Sequence, residues 1–207
     1  MAEFVNIHTH CPSGVGIEIV NCRLGVDQIP SSGLFSVGIH PWDVGLPSST
    51  VDDLCKALEL ADCVAIGEVG LDKKCTSDWA MQEAVFSAML HFGGRPFIIH
   101  CVKAQREVLT MLGADDVCVF HGFIGSPQQA SQLWQLGHCT SFGFGALRSP
   151  KTMEALKACP SNQLFLETDV DTRGIIALYE EVAKLRDVTV EELKEEIYNN
   201  YKRIFNK

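Results

Sequence analysis

Val5-Asn6-Ile7-His8-Thr9-His10 runs from an apolar stretch straight into two histidines, and endings of the same kind recur down the chain. Val64-Ala65-Ile66-Gly67 stops at Glu68, Phe97-Ile98-Ile99 at His100, Val117-Cys118-Val119-Phe120 at His121, and Leu164-Phe165-Leu166-Glu167-Thr168 at Asp169. Short, near-continuous apolar runs are what strands buried on both faces require. Six potential metal ligands at strand ends meet only if the strands are parallel and their C-terminal ends gather in one mouth, as in a barrel. His-x-His on a strand also puts both imidazoles on one face, because side chains alternate with period two.

The rest of the pattern agrees. Extended segments are expected near residues 4–8, 16–21, 35–40, 63–68, 97–100, 117–121, 139–142 and 164–168, each closed by turn or polar residues. Helical periodicity falls between them, at 51–61, 79–92, 105–112, 127–136 and 150–158, and then at 174–185 and 189–205. Asp52-Asp53 suits a helix N-terminus, Pro127 and Pro150 sit at first turns, and Thr189 with Glu192 forms a capping box. Alternating strand and helix gives an α/β fold, a TIM-type (β/α)8 barrel. The 207 residues are few for that fold, typically about 250. The shortage falls between His8 and His40, so the barrel is expected to be distorted, with reduced or missing helices around strands 2 and 3. No linker or repeat interrupts the chain, and residues 1–207 read as a single domain.

Composition narrows the function classes. Hydrophobic content of 46% and charged content of 21% are ordinary for a soluble globular protein. No apolar run has membrane-spanning length, and the N-terminal residues lack a signal-peptide pattern, so a cytoplasmic protein without a membrane partner is expected. No obligate protein partner is evident. Nine scattered cysteines without a Cys-x-x-Cys pair point to reduced thiols used in packing, although Cys11 and Cys101 adjoin His10 and His100. The formal net charge of −9 repels polyanions and argues against tight nonspecific binding to long DNA.

The candidate metal ligands are therefore His8, His10, Glu68, His100, His121 and Asp169, while His91 and His138 lack the strand-end placement. Imidazole with carboxylate suits one or two divalent ions such as zinc, manganese, magnesium or cobalt. Lys73, Lys74, Lys103, Arg148 and Arg173 follow strands 4, 5, 7 and 8, in the segments expected to form the mouth, where bases sense an anion such as phosphate. Trp42 is open between a packing role and stacking of a base or sugar.

The ordered set Asn6-Ile7-His8-Thr9-His10, Gly38-Ile39-His40-Pro41, Ala65-Ile66-Gly67-Glu68-Val69-Gly70-Leu71-Asp72, Pro96-Phe97-Ile98-Ile99-His100, His121-Gly122-Phe123 and Glu167-Thr168-Asp169 resembles the TatD family of metal-dependent hydrolases in the amidohydrolase superfamily. The ending Asn200-Tyr201-Lys202-Arg203-Ile204-Phe205 is similar too, so the likeness spans nearly the whole chain. It implies a TIM-like barrel that hydrolyses phosphodiesters, in DNA or a small substrate, through water activated by metal. It further implies that His8, His10 and Asp169 hold a first ion, and that Glu68 bridges to a second completed by His100 and His121. Glu68 and Asp169 would be the catalytic carboxylates, with His40, Lys73, Lys103 and Arg148 at the substrate. Asp72 is open between organising the loop behind Glu68 and a turn role. The chain departs from the family pattern with Asn6 for the usual Asp, Val102-Lys103 where Arg is common, and Val170-Asp171 where Pro often follows Asp169. Alternatives on the same ligands are an aminoacyl-tRNA deacylase or amidohydrolase, and a non-catalytic metal-binding protein.

Overall fold

Strands of this chain are apolar because both faces are covered: β1 (Val5–Thr9) and β3 (Phe35–Gly38) are buried at every residue. The computed structural model describes residues 2–46 and 51–205. Its eight strands take the sheet order β1 to β8 with helices between them, the TIM-type (β/α)8 class expected. The remaining strands are β2 (Ile17–Arg23), β4 (Cys63–Asp72), β5 (Phe97–Val102), β6 (Cys118–Phe120), β7 (Cys139–Phe142) and β8 (Leu164–Leu166). Among the described residues no helix lies between β1 and β2 or between β2 and β3, which is where the shortage of residues was expected. The helices are α1 (Val51–Leu58), α2 (Trp79–Leu90), α3 (Gln105–Met111), α4 (Pro127–Gln135), α5 (Pro150–Ala158), α6 (Ile175–Arg186) and α7 (Val190–Phe205).

The chain packs as two compact units, one from the described residues of Met1–Val20 and Val119–Lys207, the other Asn21–Cys118. In the first unit β6, β7 and β8 pair in parallel around fully buried Phe142 and Phe165. Tyr179 of α6 fixes β1: its hydroxyl donates to the Val5 carbonyl at 3.0 Å and accepts from the Val5 N–H at 3.2 Å. Asn200 of α7 donates to the carbonyls of Ser161 and Leu164, tying the final helix to the start of β8. The Thr189–Glu192 capping box forms as read, with Thr189 N–H on Glu192 at 2.8 Å and Glu192 N–H on Thr189 at 3.2 Å. A second capping box, Ser126 with Gln129, starts α4 ahead of Pro127.

In the second unit β4 pairs with β3 on one side and β5 on the other. It does not stop at Glu68: pairing with β5 continues to Asp72 opposite Val102, with a register shift between Gly67 and Val69. The strands approach so closely that a Cβ at Gly70 would overlap the His100 carbonyl oxygen, and Gly70 also has φ +143°. None of the nine cysteines forms a disulfide, and five are buried. Burial pushes the Cys22 and Cys159 thiols up to about 12 and Cys101 to about 11, so all three stay protonated at neutral pH.

Gly70→Ala is expected to cost about 2–4 kcal/mol, combining a disfavoured φ with overlap against β5. Gly93, also at positive φ but with open space around it, provides the control and should lose only the backbone cost, about 1–2 kcal/mol, on mutation to Ala. Urea unfolding of both variants checks this; equal losses would mean that β5 does not press on Gly70.

Candidate metal centre

In the first unit the end of β8 is laced to the end of β1. Asp169 N–H donates to the His8 carbonyl at 3.0 Å, and His10 N–H donates to the Asp169 carbonyl at 2.9 Å. This exchange brings the Asp169 carboxylate level with both histidines and holds Asp169 at φ +52°, a left-handed conformation that Asp tolerates better than most residues. Asp169 Oδ1 lies 3.7 Å from His8 Nε2 and 3.6 Å from His10 Nε2, and one ligand atom from each of the three falls within 4.8 Å of the others. That is the spacing of a cation site whose bonds would be about 2.0–2.2 Å. His121 lies alongside, with its ring centroid 4.3 Å from that of His8.

Glu167 is fully buried and its Oε1 accepts from the Gly122 N–H at 2.8 Å, 3.2 Å from His121 Nδ1. With Nδ1–H directed at that carboxylate, Nε2 is the nitrogen a metal would take, the arrangement that orients ligating histidines in metalloproteins. Asn6 explains its own departure from Asp. Its carbonyl accepts from Thr168 N–H at 3.0 Å, and its amide donates to Thr168 Oγ1 at 2.9 Å and to Glu18 at 3.5 Å. A carboxylate could not make the two donations and would face Glu18 with like charge.

The second unit gathers His40, Glu68 and His100, all nearly buried. His40 Nε2 is 3.2 Å from Glu68 Oε1 and 3.3 Å from His100 Nδ1, and His100 Nδ1 itself contacts Glu68 Oε1. His40 Nδ1 accepts the Trp42 N–H at 3.1 Å, so the neutral ring carries its proton on Nε2 and acts there as a donor. Burial, the largest influence, outweighs the attraction of Glu68 and pushes the His40 pKa down, which favours that neutral form. This tautomer suits contact with Glu68 or a substrate oxygen better than metal ligation. His100 Nε2 lies 3.3 Å from Asp72 Oδ2, so the nitrogen a cation would take is Nδ1, which already faces Glu68. Asp72 is thus tied to the ring of His100. Burial alone would raise its carboxyl, but hydrogen bonds from Trp42, the Lys74 backbone and His100 hold it below the usual carboxylate range. Asn21 donates to Glu68 Oε2 at 3.4 Å and is itself held by Ser36.

The donor sets therefore fit divalent ions by their chemistry: imidazole nitrogens turned toward carboxylates, with the far nitrogen of His100 and of His121 backed by a second acid. The sequence pattern points to the strand-end histidines and acids but not to Glu167. Its signal is an acid two residues before the strand-end Asp, at a position where the side chain falls in the core. The bases expected at the substrate are less uniform. Lys73 pairs with Glu107 at 2.5 Å and lies 5.4 Å over Trp79, whereas Lys103 and Arg148 are exposed. Arg173 is taken up by Asp171, to which its guanidinium donates twice, and stacks 3.6 Å over Phe144.

Comparison with known proteins gives a consistent result. A family profile described as TatD related DNase matches residues 18–206. The uncharacterized metal-dependent hydrolase YabD of Bacillus subtilis is 32% identical over 200 residues, covering 82% of this chain and 76% of its own. YcfH of Escherichia coli, with the same description, is 30% identical over 196 residues, covering 84% of this chain and 74% of its own. The crystal structure of YjjV, a TatD homologue from Escherichia coli, superposes with TM-score 0.82 over 99% of this chain and 98% of its own, at 23% identity, which speaks to the fold.

Glu167→Gln is expected to weaken divalent-metal binding about 10–100-fold, the usual consequence of losing a carboxylate behind a ligating imidazole. Competition with a chromogenic chelator measures it. Unchanged affinity would restrict Glu167 to holding the Gly122 backbone.

Proposed function

Because the chain belongs to the TatD related DNase family, we propose that this metal-dependent hydrolase cleaves phosphodiester bonds in DNA or short oligonucleotides. We assign His8, His10 and Asp169 to one ion, Glu68 and His100 to another, with His121 as a further ligand. The observation that carries this reading is the orientation of the imidazoles: His100 Nε2 faces Asp72 and His121 Nδ1 faces Glu167, so a cation would take the opposite nitrogen of each ring, which in His100 is the one beside Glu68. Metal-ligating histidines almost always carry such a second contact, which fixes tautomer and ring orientation.

A bound divalent ion supplies Lewis acidity, lowering the pKa of a water toward neutrality and offsetting charge on a phosphoryl oxygen. Asp169, with a side chain 42% exposed, would accept the proton given up by the attacking water. His40, neutral and protonated on Nε2, donates to a substrate phosphate oxygen, and exposed Lys103 and Arg148 offset its charge. The −9 charge favours short or single-stranded substrates over long duplex, whose dense phosphate field is repelled. No helix among the described residues is long and apolar enough to cross a membrane.

The test joins metal content, melting temperature and turnover for wild type, Glu68→Gln and Asp169→Asn. Both variants should lose turnover by about two orders of magnitude or more, with little change in melting. Each should also bind less metal. Wild-type metal content and turnover in Glu68→Gln would remove Glu68 from the ligand set. Cleavage of acyl esters or amides by wild type, with no phosphodiester product under Mg²⁺, Mn²⁺, Co²⁺ or Zn²⁺, would overturn the proposal.

A further inference from the structure

Of the three tryptophans only Trp42 is exposed, at 56% of its surface, and it stands beside the His40–Glu68–His100 cluster. An indole in water is ordinarily free to turn, but this one is pinned. Its ring N–H donates to Asp72 Oδ2 at 2.7 Å, its backbone N–H donates to His40 Nδ1 at 3.1 Å, and its carbonyl accepts from Ser77 Oγ at 3.2 Å. The ring meets His40 edge-on, centroids 4.8 Å apart and planes at 81°, and lies 6.1 Å from His100. Packing thus takes one edge of the indole and leaves much of the ring to solvent. A large apolar surface kept in water and fixed in orientation is the form of a preorganised binding platform.

We propose that Trp42 is the specificity platform of this site, on which a nucleobase stacks while the adjoining phosphate sits at His40. This rests on the phosphodiesterase reading above and names its substrate class: phosphodiesters carrying a flat aromatic base next to the scissile bond. Stacking on an aromatic side chain tolerates any base, because every base has a π face. The platform therefore selects nucleotides over baseless sugar phosphates without selecting a sequence. Asp72, shared between the Trp42 ring and His100, keeps the platform in step with the cluster.

The test uses a thymidine dinucleotide and its analogue with an abasic residue in place of each nucleoside, assayed with wild type, Trp42→Ala and Trp42→Phe. Trp42→Ala should raise KM for the dinucleotide by about tenfold or more, the scale of one lost stacking contact, and leave KM for the abasic analogue near its wild-type value. Trp42→Phe keeps a ring face and should recover most of the loss. If Trp42 acted only as the hydrogen-bond donor to Asp72, kcat would fall for both substrates alike and Phe, which has no N–H, would not rescue; that result overturns the proposal. A second readout does not need turnover. Thymidine 5′-monophosphate should quench tryptophan fluorescence in wild type but not in Trp42→Phe, and deoxyribose 5-phosphate should quench neither. Quenching without phosphodiester cleavage would sink the phosphodiesterase reading and keep the platform. Cleavage with equal KM for both substrates and no quenching would do the reverse.

Discussion

A parallel strand covered on both faces has no polar side, so polar chemistry can emerge only at its ends or must be fully satisfied within it. Most features of this chain follow from that constraint. β1 is buried at all five residues yet contains Asn6, His8 and Thr9. Asn6 and Thr9 are accommodated because Thr168 of the neighbouring strand end meets both: its N–H reaches the Asn6 carbonyl, and its hydroxyl lies 2.9 Å from the Asn6 amide and 3.0 Å from Thr9 Oγ1. The same network positions Asp169 against His8 and His10. The hydrogen bonds that end β8 are those that present the carboxylate.

The buried acids follow the same logic. Glu167 and Asp72 would be expensive as isolated charges. Each instead receives a backbone N–H, from Gly122 and Lys74 respectively, and each faces the ring of a strand-end histidine. An imidazole offers one donor and one acceptor when neutral, so an acid on one side dictates what the other side can do. His40 shows the contrary case: a backbone N–H on Nδ1 makes Nε2 the donor. Three histidines of similar burial are thereby given different chemical parts by their second contacts.

These distinctions also mark what the sequence could express. Strand ends and helices were legible because they repeat with fixed periods and stop at charged or imidazole residues; the missing helices around β2 and β3 were legible as a shortage of residues. The true end of β4 was not, because Gly67 and Gly70 look like turn residues but are there for the close approach of β5. Glu167 was hidden because the pattern shows an acid near a strand end without showing which way it points. Nor could composition distinguish a base facing substrate from one already paired. Lys73 goes to Glu107, and Arg173 to Asp171, whose carboxyl the guanidinium holds at about 2.

That pairing bears on how an anion could be recognised at all. With a net charge of −9, and with Lys73 and Arg173 already matched by acids, the chain as a whole repels a polyanion at long range. Fields between exposed charges fade over about 8 Å at physiological ionic strength. Recognition on the proposed function must then come from contacts: the cations held by the strand-end ligands, the Nε2–H of His40, and an aromatic surface held in place before the substrate arrives. A site built this way gains little from a long duplex, most of whose phosphates it cannot reach and whose bases are already stacked on one another. It gains most from an end or a single strand, where one base is free to leave its neighbours. The acidic surface and the fixed, exposed indole therefore push in the same direction, toward short and unpaired substrates.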